Sequence, residues 1–322
     1  MYNPNGLFSL LQRTRPVSFR KDKPFSRLCQ ILGAVFVYED GMCRGKPTTE
    51  AIFVGLVHLF SSISPTFANM ENTDELFTRT ELLVGHKAME ALRRQRVIVF
   101  GVGGVGSWCA ESLVRSGIGR LTLVDNDRVC ASNLNRQLMA TTRTLGQPKA
   151  EALQRRLLDI HPEAAVDARM ERYTAETCDT FPLDAYDYVV DAIDSLDCKA
   201  LLILRACESP ARLVSSMGAA RKMDPTRISV AEFWKVRGCP LAAALRHRFR
   251  RSGQLPARRF PCVYSEELLP NAGADSPDRL PEPGHPNGTI AHATAIFGFT
   301  LAGLIVQDVL QRLGQAQHPS LS

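Results

Sequence analysis

The sequence predicts an α/β chain: a Rossmann-like, doubly wound, mostly parallel sheet with a C-terminal substrate-binding extension. Three observations point there. Short apolar runs alternate with helix-like segments from about Glu71 onward, a glycine run separates the first such strand from the helix after it, and an acidic residue ends the second strand.

In chain order, a helix is expected over Asp74 to Arg94, then a strand over Arg96 to Phe100. Gly101, Gly103, Gly104 and Gly106 follow, and a helix runs from about Ser107 to Ser116, where Gly117 can end it. A second strand, Leu121 to Val124, leads into Asp125. Pro148 suits the first turn of the next helix, in which Leu153, Leu157 and Ile160 share a face, and Pro162 stops it. Tyr186 to Val190 reads as a buried strand, Lys199 to Glu208 as a helix, and Arg212 to Ser216 and Arg227 to Phe233 as further strands. Pro270 to Pro286, rich in Pro, Gly and Asp, reads as a surface loop. Ala293 to Val306 is strongly apolar; His292 and Asp308 bracket it too closely for a membrane span, so a buried helix is expected.

The 322 residues suffice for one large or two modest domains. We divide them into an N-terminal extension (1–70), a nucleotide-binding region (71–217) and a C-terminal substrate region of the same domain (218–322). The formal net charge is +6, but Arg13, Arg15, Arg20, Lys21, Lys23 and Arg27 against Asp22 alone place +5 of it within residues 1–38. Overall charge is therefore no argument for nucleic-acid binding. The nine cysteines form no Cys-x-x-Cys pair, which points to free thiols in a reducing compartment rather than a zinc ribbon or disulfide framework.

The Arg-rich, nearly acid-free start resembles an organellar presequence. The apolar patches Ile31 to Tyr38 and Ala51 to Phe60 are both shorter than the roughly 20 residues of a membrane span. Residues 1–70 are thus read as a targeting leader, a membrane-associated anchor or an extension of no defined fold. A mitochondrial address (matrix or outer-membrane associated) is expected, with the cytoplasm as the alternative.

Chemistry concentrates around the glycine run. Glycines allow positive φ and leave no Cβ between backbone and phosphate, and a helix opening there aims N–H groups at an anion. Asp125, 19 residues past Gly106, can accept hydrogen bonds from ribose hydroxyls. This pattern fits an adenosine-containing ligand without separating NAD from ATP. The following residues do separate them. A triphosphate with magnesium needs cationic donors and a carboxylate; Arg136 and Lys149 can supply the first and Asp194 the second. No Walker A loop occurs in the chain.

Gly101 to Gly106, the Leu-Val-Asp-Asn-Asp-Arg-Val segment ending at Val129, Ser132-Asn133-Leu134-Asn135-Arg136-Gln137, Lys149 and Asp191-Ala192-Ile193-Asp194 together resemble the nucleotide site of the ubiquitin-activating-enzyme-like superfamily, which includes the activators of sulfur carriers. That resemblance implies that Asp125 holds the ribose, Asn133, Arg136 and Lys149 the phosphates, and Asp194 the Mg2+. A narrower resemblance, over roughly Leu76 to Leu310, is to the tRNA threonylcarbamoyladenosine dehydratases. It rests on Gly106-Ser107-Trp108 with Ile118-Gly119, Ser195 after the Asp191–Asp194 run, Ser215-Ser216-Met217-Gly218-Ala219, Asp224-Pro225-Thr226-Arg227-Ile228, Pro240-Leu241-Ala242 and Cys262-Val263-Tyr264-Ser265.

By that resemblance the chain adenylates the threonine carboxylate of threonylcarbamoyladenosine in tRNA and closes it to a ring. A homodimer is implied, with Arg79 the nearest candidate for an arginine reaching the neighbouring nucleotide site; a sulfur-transfer partner is a further expectation. Two readings stay open beside it: an activator of a ubiquitin-like or sulfur-carrier protein, and an NAD-binding oxidoreductase or binding module. Arg136, Lys149 and Asp194 argue against the last.

Cys262, near Arg258 and Arg259, reads either as a packing residue or as a reactive thiol. Between Lys235 and Ser265 seven arginines occur without an acidic residue. On a helix from Pro240, Arg246 and Arg250 fall together beside Arg251, either as a tRNA-binding face or as a solvated basic surface. Cys239 stands where the family pattern would have an acidic residue, and Asn287 to Ala295 matches only loosely.

Overall fold

The computed structural model describes residues 37–39, 42–44, 73–272 and 287–317. The chain divides into two units, Met1–Thr73 and Asp74–Ser322. In the first, Val37–Glu39 pairs antiparallel with Met42–Arg44. The remaining expectations for residues 1–70, and most of those for the loop Pro270 to Pro286, lie outside the described residues.

The second unit is built on a seven-stranded sheet. Its strands are β1 (Arg96–Phe100), β2 (Arg120–Val124), β3 (Ala165–Arg169), β4 (Tyr188–Asp191), β5 (Arg212–Ser216), β6 (Ile228–Glu232) and β7 (Pro261–Ser265). Their spatial order is β3-β2-β1-β4-β5-β7-β6, every pairing being parallel except the last. The helices are α1 (Thr78–Val84), α2 (His86–Arg94), α3 (Gly106–Arg115), α4 (Lys149–Ile160), α5 (Leu196–Glu208), α6 (Pro240–Ser252) and α7 (Ala291–Gln317).

Burial explains the layering. β1 reads Arg-Val-Ile-Val-Phe, with its last four residues buried, as a central strand covered on both faces requires. Val97 and Val99 pack into a core with residues of α3, α4 and α7, whereas Ile98 and Phe100 point into the opposite core with α5 and α6. Strand order reverses between β1 and β4. Ligands in open α/β sheets bind at such a switch point, outside the carboxyl ends of the strands.

α7 is long and apolar enough to cross a membrane by length and composition. Yet Phe297, Leu301, Ala302, Ile305 and Val309 are buried in the first core, and the helix packs along α3. This agrees with the expected buried helix.

The structure departs from the sequence reading in three places. The expected helix over Asp74 to Arg94 is broken, because Gly85 sits at φ 84° between α1 and α2 after a single turn at Thr73–Leu76. Strands β3 and β7 were not anticipated. β3 is an edge strand, Ala-Val-Asp-Ala-Arg, with only Val166 buried, and β7 begins on a proline after Arg258-Arg259-Phe260. Pro148 precedes the first residue of α4 rather than occupying its first turn.

Candidate active site

A cavity of about 760 Å³ opens at the carboxyl ends of β1, β2, β4 and β5. Its floor is the glycine turn. Gly101 adopts φ 82°, and a Cβ there would come within 2.7 Å of the Ala192 carbonyl oxygen; at Gly106 it would lie 1.9 Å from the Gly101 carbonyl oxygen. Only glycine lets the turn close against the end of β4 and start α3 at once. Gly103 and Gly104 line the cavity above it.

Asp125 follows β2 into the cavity. Its carboxylate accepts hydrogen bonds from the backbone N–H of Val102 at 2.9 Å and of Asp127 at 2.9 Å, which locks it to the glycine turn. Burial raises its pKa above the ordinary carboxylate value, against the opposing pull of Lys149 and these backbone donors.

Arg136, Lys149 and Asp194 all line the same cavity. Lys149 opens α4 with 6% of its surface exposed, and its Nζ lies 2.7 Å from Asp127 Oδ2. The Asp127 side chain is 60% exposed, so the pair is open to exchange with an incoming anion. One Arg136 Nη1 donates to the Ser132 carbonyl and to Asn135 Oδ1, both at 2.9 Å, leaving other guanidinium donors for a ligand. Asp194 is exposed on the turn between β4 and α5. Among the described residues no cluster of three or more metal-ligating side chains occurs. A cation held by one carboxylate, phosphate oxygens and water fits this donor set, which is how Mg2+ usually binds.

The remaining expected residues fall elsewhere. Asn133 is buried and outside the cavity lining; its Oδ1 accepts from the Cys130 N–H at 3.1 Å, so it shapes the turn that carries Arg136 instead of facing the cavity. Cys262 is fully buried on β7, in the core with α5 and α6, and burial pushes its thiol well above the usual range. That corrects the reactive-thiol reading, since an inaccessible protonated thiol is a poor nucleophile.

The α6 arginines do not border the cavity. Leu241, at the start of α6, lines it. Arg246 donates to the Phe233 carbonyl at 3.2 Å and lies over the Phe233 ring, while Arg250 lies over the Trp234 ring at 5.6 Å. Phe233 and Trp234 follow Glu232, which pairs with Pro261 at the amino end of β7, so this face lies toward the end of the sheet remote from the cavity. Arg251 lies on another side of α6, in a groove against α5.

Several residues in and beneath the site carry no role in the sequence analysis. Gln137 lines the cavity, is 7% exposed and has no protein hydrogen-bond partner for Oε1, which leaves that oxygen open to a ligand or a water. Lys199 is fully buried beneath Asp194. A lysine inside the apolar run of α5 was its sequence signal. Asn287, Thr289 and Thr294, from the loosely matching stretch, also reach the cavity.

The ThiF family model matches residues 77–322. The tRNA threonylcarbamoyladenosine dehydratase of Bacillus subtilis is 38% identical over 241 residues, covering 73% of this chain and 94% of that protein. The crystal structure of the Escherichia coli tRNA N6-threonylcarbamoyladenosine dehydratase in complex with ATP superposes with a TM-score of 0.67 at 34% identity, covering 75% of this chain and 96% of the other. A sulfur carrier protein adenylyltransferase of Thermus thermophilus is 41% identical, but over only 37% of this chain. The chain therefore belongs to the ThiF family and, within it, to the tRNA threonylcarbamoyladenosine dehydratases.

Proposed function

We propose that this protein adenylates the threonine carboxylate of threonylcarbamoyladenosine in tRNA and closes the product to its cyclic, dehydrated form. The carrying observation is the meeting of Arg136, Lys149 and Asp194 on one cavity at the switch point. A carboxylate and a triphosphate repel one another, and a site that holds them in line must supply fixed positive charge. Arg136 and Lys149 do so. Asp194 would hold Mg2+, which supplies further positive charge to the phosphate oxygens.

The carboxylate oxygen attacks the α-phosphorus of ATP and pyrophosphate leaves. A nucleophilic atom of the neighbouring ureido group then attacks the activated carbonyl carbon, AMP departs and a ureido proton is released. The nucleoside loses one water in total. The attack is intramolecular and needs no enzyme nucleophile, which agrees with the buried state of Cys262.

The tRNA would place its modified nucleotide in the cavity and lay backbone phosphates along α6, on Arg246 and Arg250, with Arg251 on the flank. The protein acts as a homodimer, with Arg79 entering the partner's nucleotide site, and the Arg-rich N-terminal extension directs it to mitochondria. Sedimentation and organelle fractionation test these.

The central test incubates the protein with ATP, Mg2+ and tRNA bearing threonylcarbamoyladenosine, followed by mass analysis of the nucleosides. Loss of one water from the modified nucleoside, with AMP formation, is expected. AMP formed only in the presence of a small carrier protein would replace this reading with carrier activation, and tight NADH binding without response to ATP would remove it.

A further inference from the structure

Below the turn that carries Asp194 lies an ion pair with no access to solvent. Lys199 and Asp191 are both 0% exposed, and Lys199 Nζ lies 2.8 Å from Asp191 Oδ2. Ser215, on β5, donates to the same oxygen at 2.6 Å. The remaining contacts converge on one residue. Asp191 Oδ1 accepts from the Ile193 N–H at 3.2 Å, and Lys199 Nζ donates to the Ile193 carbonyl at 3.1 Å. Both hydrogen-bonding groups of the residue preceding Asp194 are therefore tied to the pair.

A buried ion pair is a poor source of stability, because desolvating two charges offsets most of their attraction and apolar residues of similar size do as well. Its yield is geometry. Two charged groups with every bond directed hold one backbone arrangement against others, in a turn that has no ladder of its own.

We infer that Lys199 is a positioning residue. With Asp191 and Ser215 it clamps Ile193 and so presets the Asp194 carboxylate for the metal–triphosphate before ligand arrives. This rests on the adenylation reading for the role of Asp194, but the clamp itself is a property of the ligand-free protein.

Two variants test it, Lys199→Met and Ser215→Ala, with two measurements on each. In the ligand-free protein, hydrogen exchange at the Ile193 amide should accelerate in both variants while β1 amides keep their protection. In the loaded enzyme, the Mg2+ concentration for half-maximal pyrophosphate release should rise by about 10-fold or more in Lys199→Met and less in Ser215→Ala, in line with the usual effect of removing an outer-shell partner. Affinity for ATP without metal should stay within about threefold, because the glycine turn and Lys149 are untouched.

A merely structural role would lower the melting temperature and the active fraction without shifting the Mg2+ requirement, and that result overturns the inference. If Lys199→Met fails to fold, Ser215→Ala decides alone: unchanged Ile193 exchange and an unchanged Mg2+ requirement reject the clamp. Absence of Mg2+-dependent pyrophosphate release in the wild type would instead reject adenylation, and the exchange measurement would still judge the clamp.

Discussion

Lys149 is nearly buried, yet its partner Asp127 keeps a 60% exposed side chain that water can solvate when the lysine is gone. Lys149→Ala should therefore lower stability by no more than about 2 kcal/mol, from lost stem packing and a weak pair. AMP formation should nonetheless fall by about 10²- to 10³-fold, the usual loss when one preorganised charge donor is removed. Asp194→Ala, at an exposed position, should leave the melting temperature unchanged and also abolish most AMP formation. A pyrophosphate-release assay beside a melting curve checks both, and full activity in either variant removes that residue from the site. The thiols give a second prediction. Cys130 is exposed, and a hydrogen bond with Ser132 holds its pKa below the usual thiol value, whereas Cys262 is fully buried and pushed upward. Iodoacetamide should modify Cys130 before any other described cysteine and reach Cys262 only on unfolding, as peptide mass mapping would show; Cys262→Ala should keep ring closure within about threefold. Residue type and spacing were enough to place Asp125, Arg136, Lys149 and Asp194 at one cavity, because each answers a separate demand of a nucleotide. For Cys262 the sequence leaves packing and reactivity open and burial selects packing, while Asn133 turns into the Cys130 turn; both orientations depend on tertiary packing that local sequence does not carry.

Between elements, α3 and α4 are joined by one buried carboxylate. Glu111 on α3 accepts from Arg115 at 2.9 Å within the helix and from Arg156 on α4 at 2.6 Å. Burial works to raise its pKa, but the hydrogen bonds from Arg156 and Arg115 outweigh it and hold the group below the usual glutamate value. Glu111→Gln should destabilise the fold by about 1–3 kcal/mol, the range for charge-assisted hydrogen bonds. Because the folded pKa is depressed, this contribution is present above the unfolded value of about 4.3 and disappears as pH falls through the folded one. Denaturant midpoints of wild type and variant should differ at pH 7 and converge as pH falls through the depressed folded value. The α6 arginines call for a different measurement. Arg246 is tied to the Phe233 carbonyl, but Arg250 is exposed over Trp234, so Arg250→Ala should weaken tRNA binding without disturbing AMP-forming geometry. The slope of log affinity against log salt should shrink by about one; an unchanged slope assigns that face to solvent. Elements with strong periodicity or a buried apolar run, such as β1, β5 and α6, are legible in the sequence. β3 and β7 are not, because an edge strand with one buried residue and a strand starting on proline gain their pairing from neighbours distant in sequence.

At the scale of the molecule, the parallel sheet and its switch point follow from the order of strands and helices, but the chain leaves one apolar feature unexplained. No residue of α1 is buried, and its Leu82 and Leu83 are 83% and 85% exposed. Single exposed leucines are ordinary, whereas two adjacent ones on a helix that packs only Val84 of its apolar residues against the core fit a surface that is covered by association. Arg79 lies on the same helix, three residues before Leu82, so an interface formed there would carry the arginine toward a second copy. Most soluble homo-oligomers are twofold symmetric, and a twofold contact through α1 would give each nucleotide site one arginine from its neighbour. The wild type should then sediment as a dimer. Leu82→Asp combined with Leu83→Asp should yield a folded monomer with reduced AMP formation, while Arg79→Ala should stay dimeric and show a raised KM for ATP. Mixing Arg79→Ala with Lys149→Ala separates this from a local effect of Arg79. At ATP concentrations below the raised KM each site in the homodimers is impaired by the loss of one group, and a heterodimer regains one complete site made of one chain's Lys149 and the other's Arg79. Recovery of activity toward about one quarter of the wild type is the statistical expectation for random exchange of subunits. No recovery, from protomers shown to exchange, would place Arg79 outside the partner's site and return α1 to a solvent-facing helix.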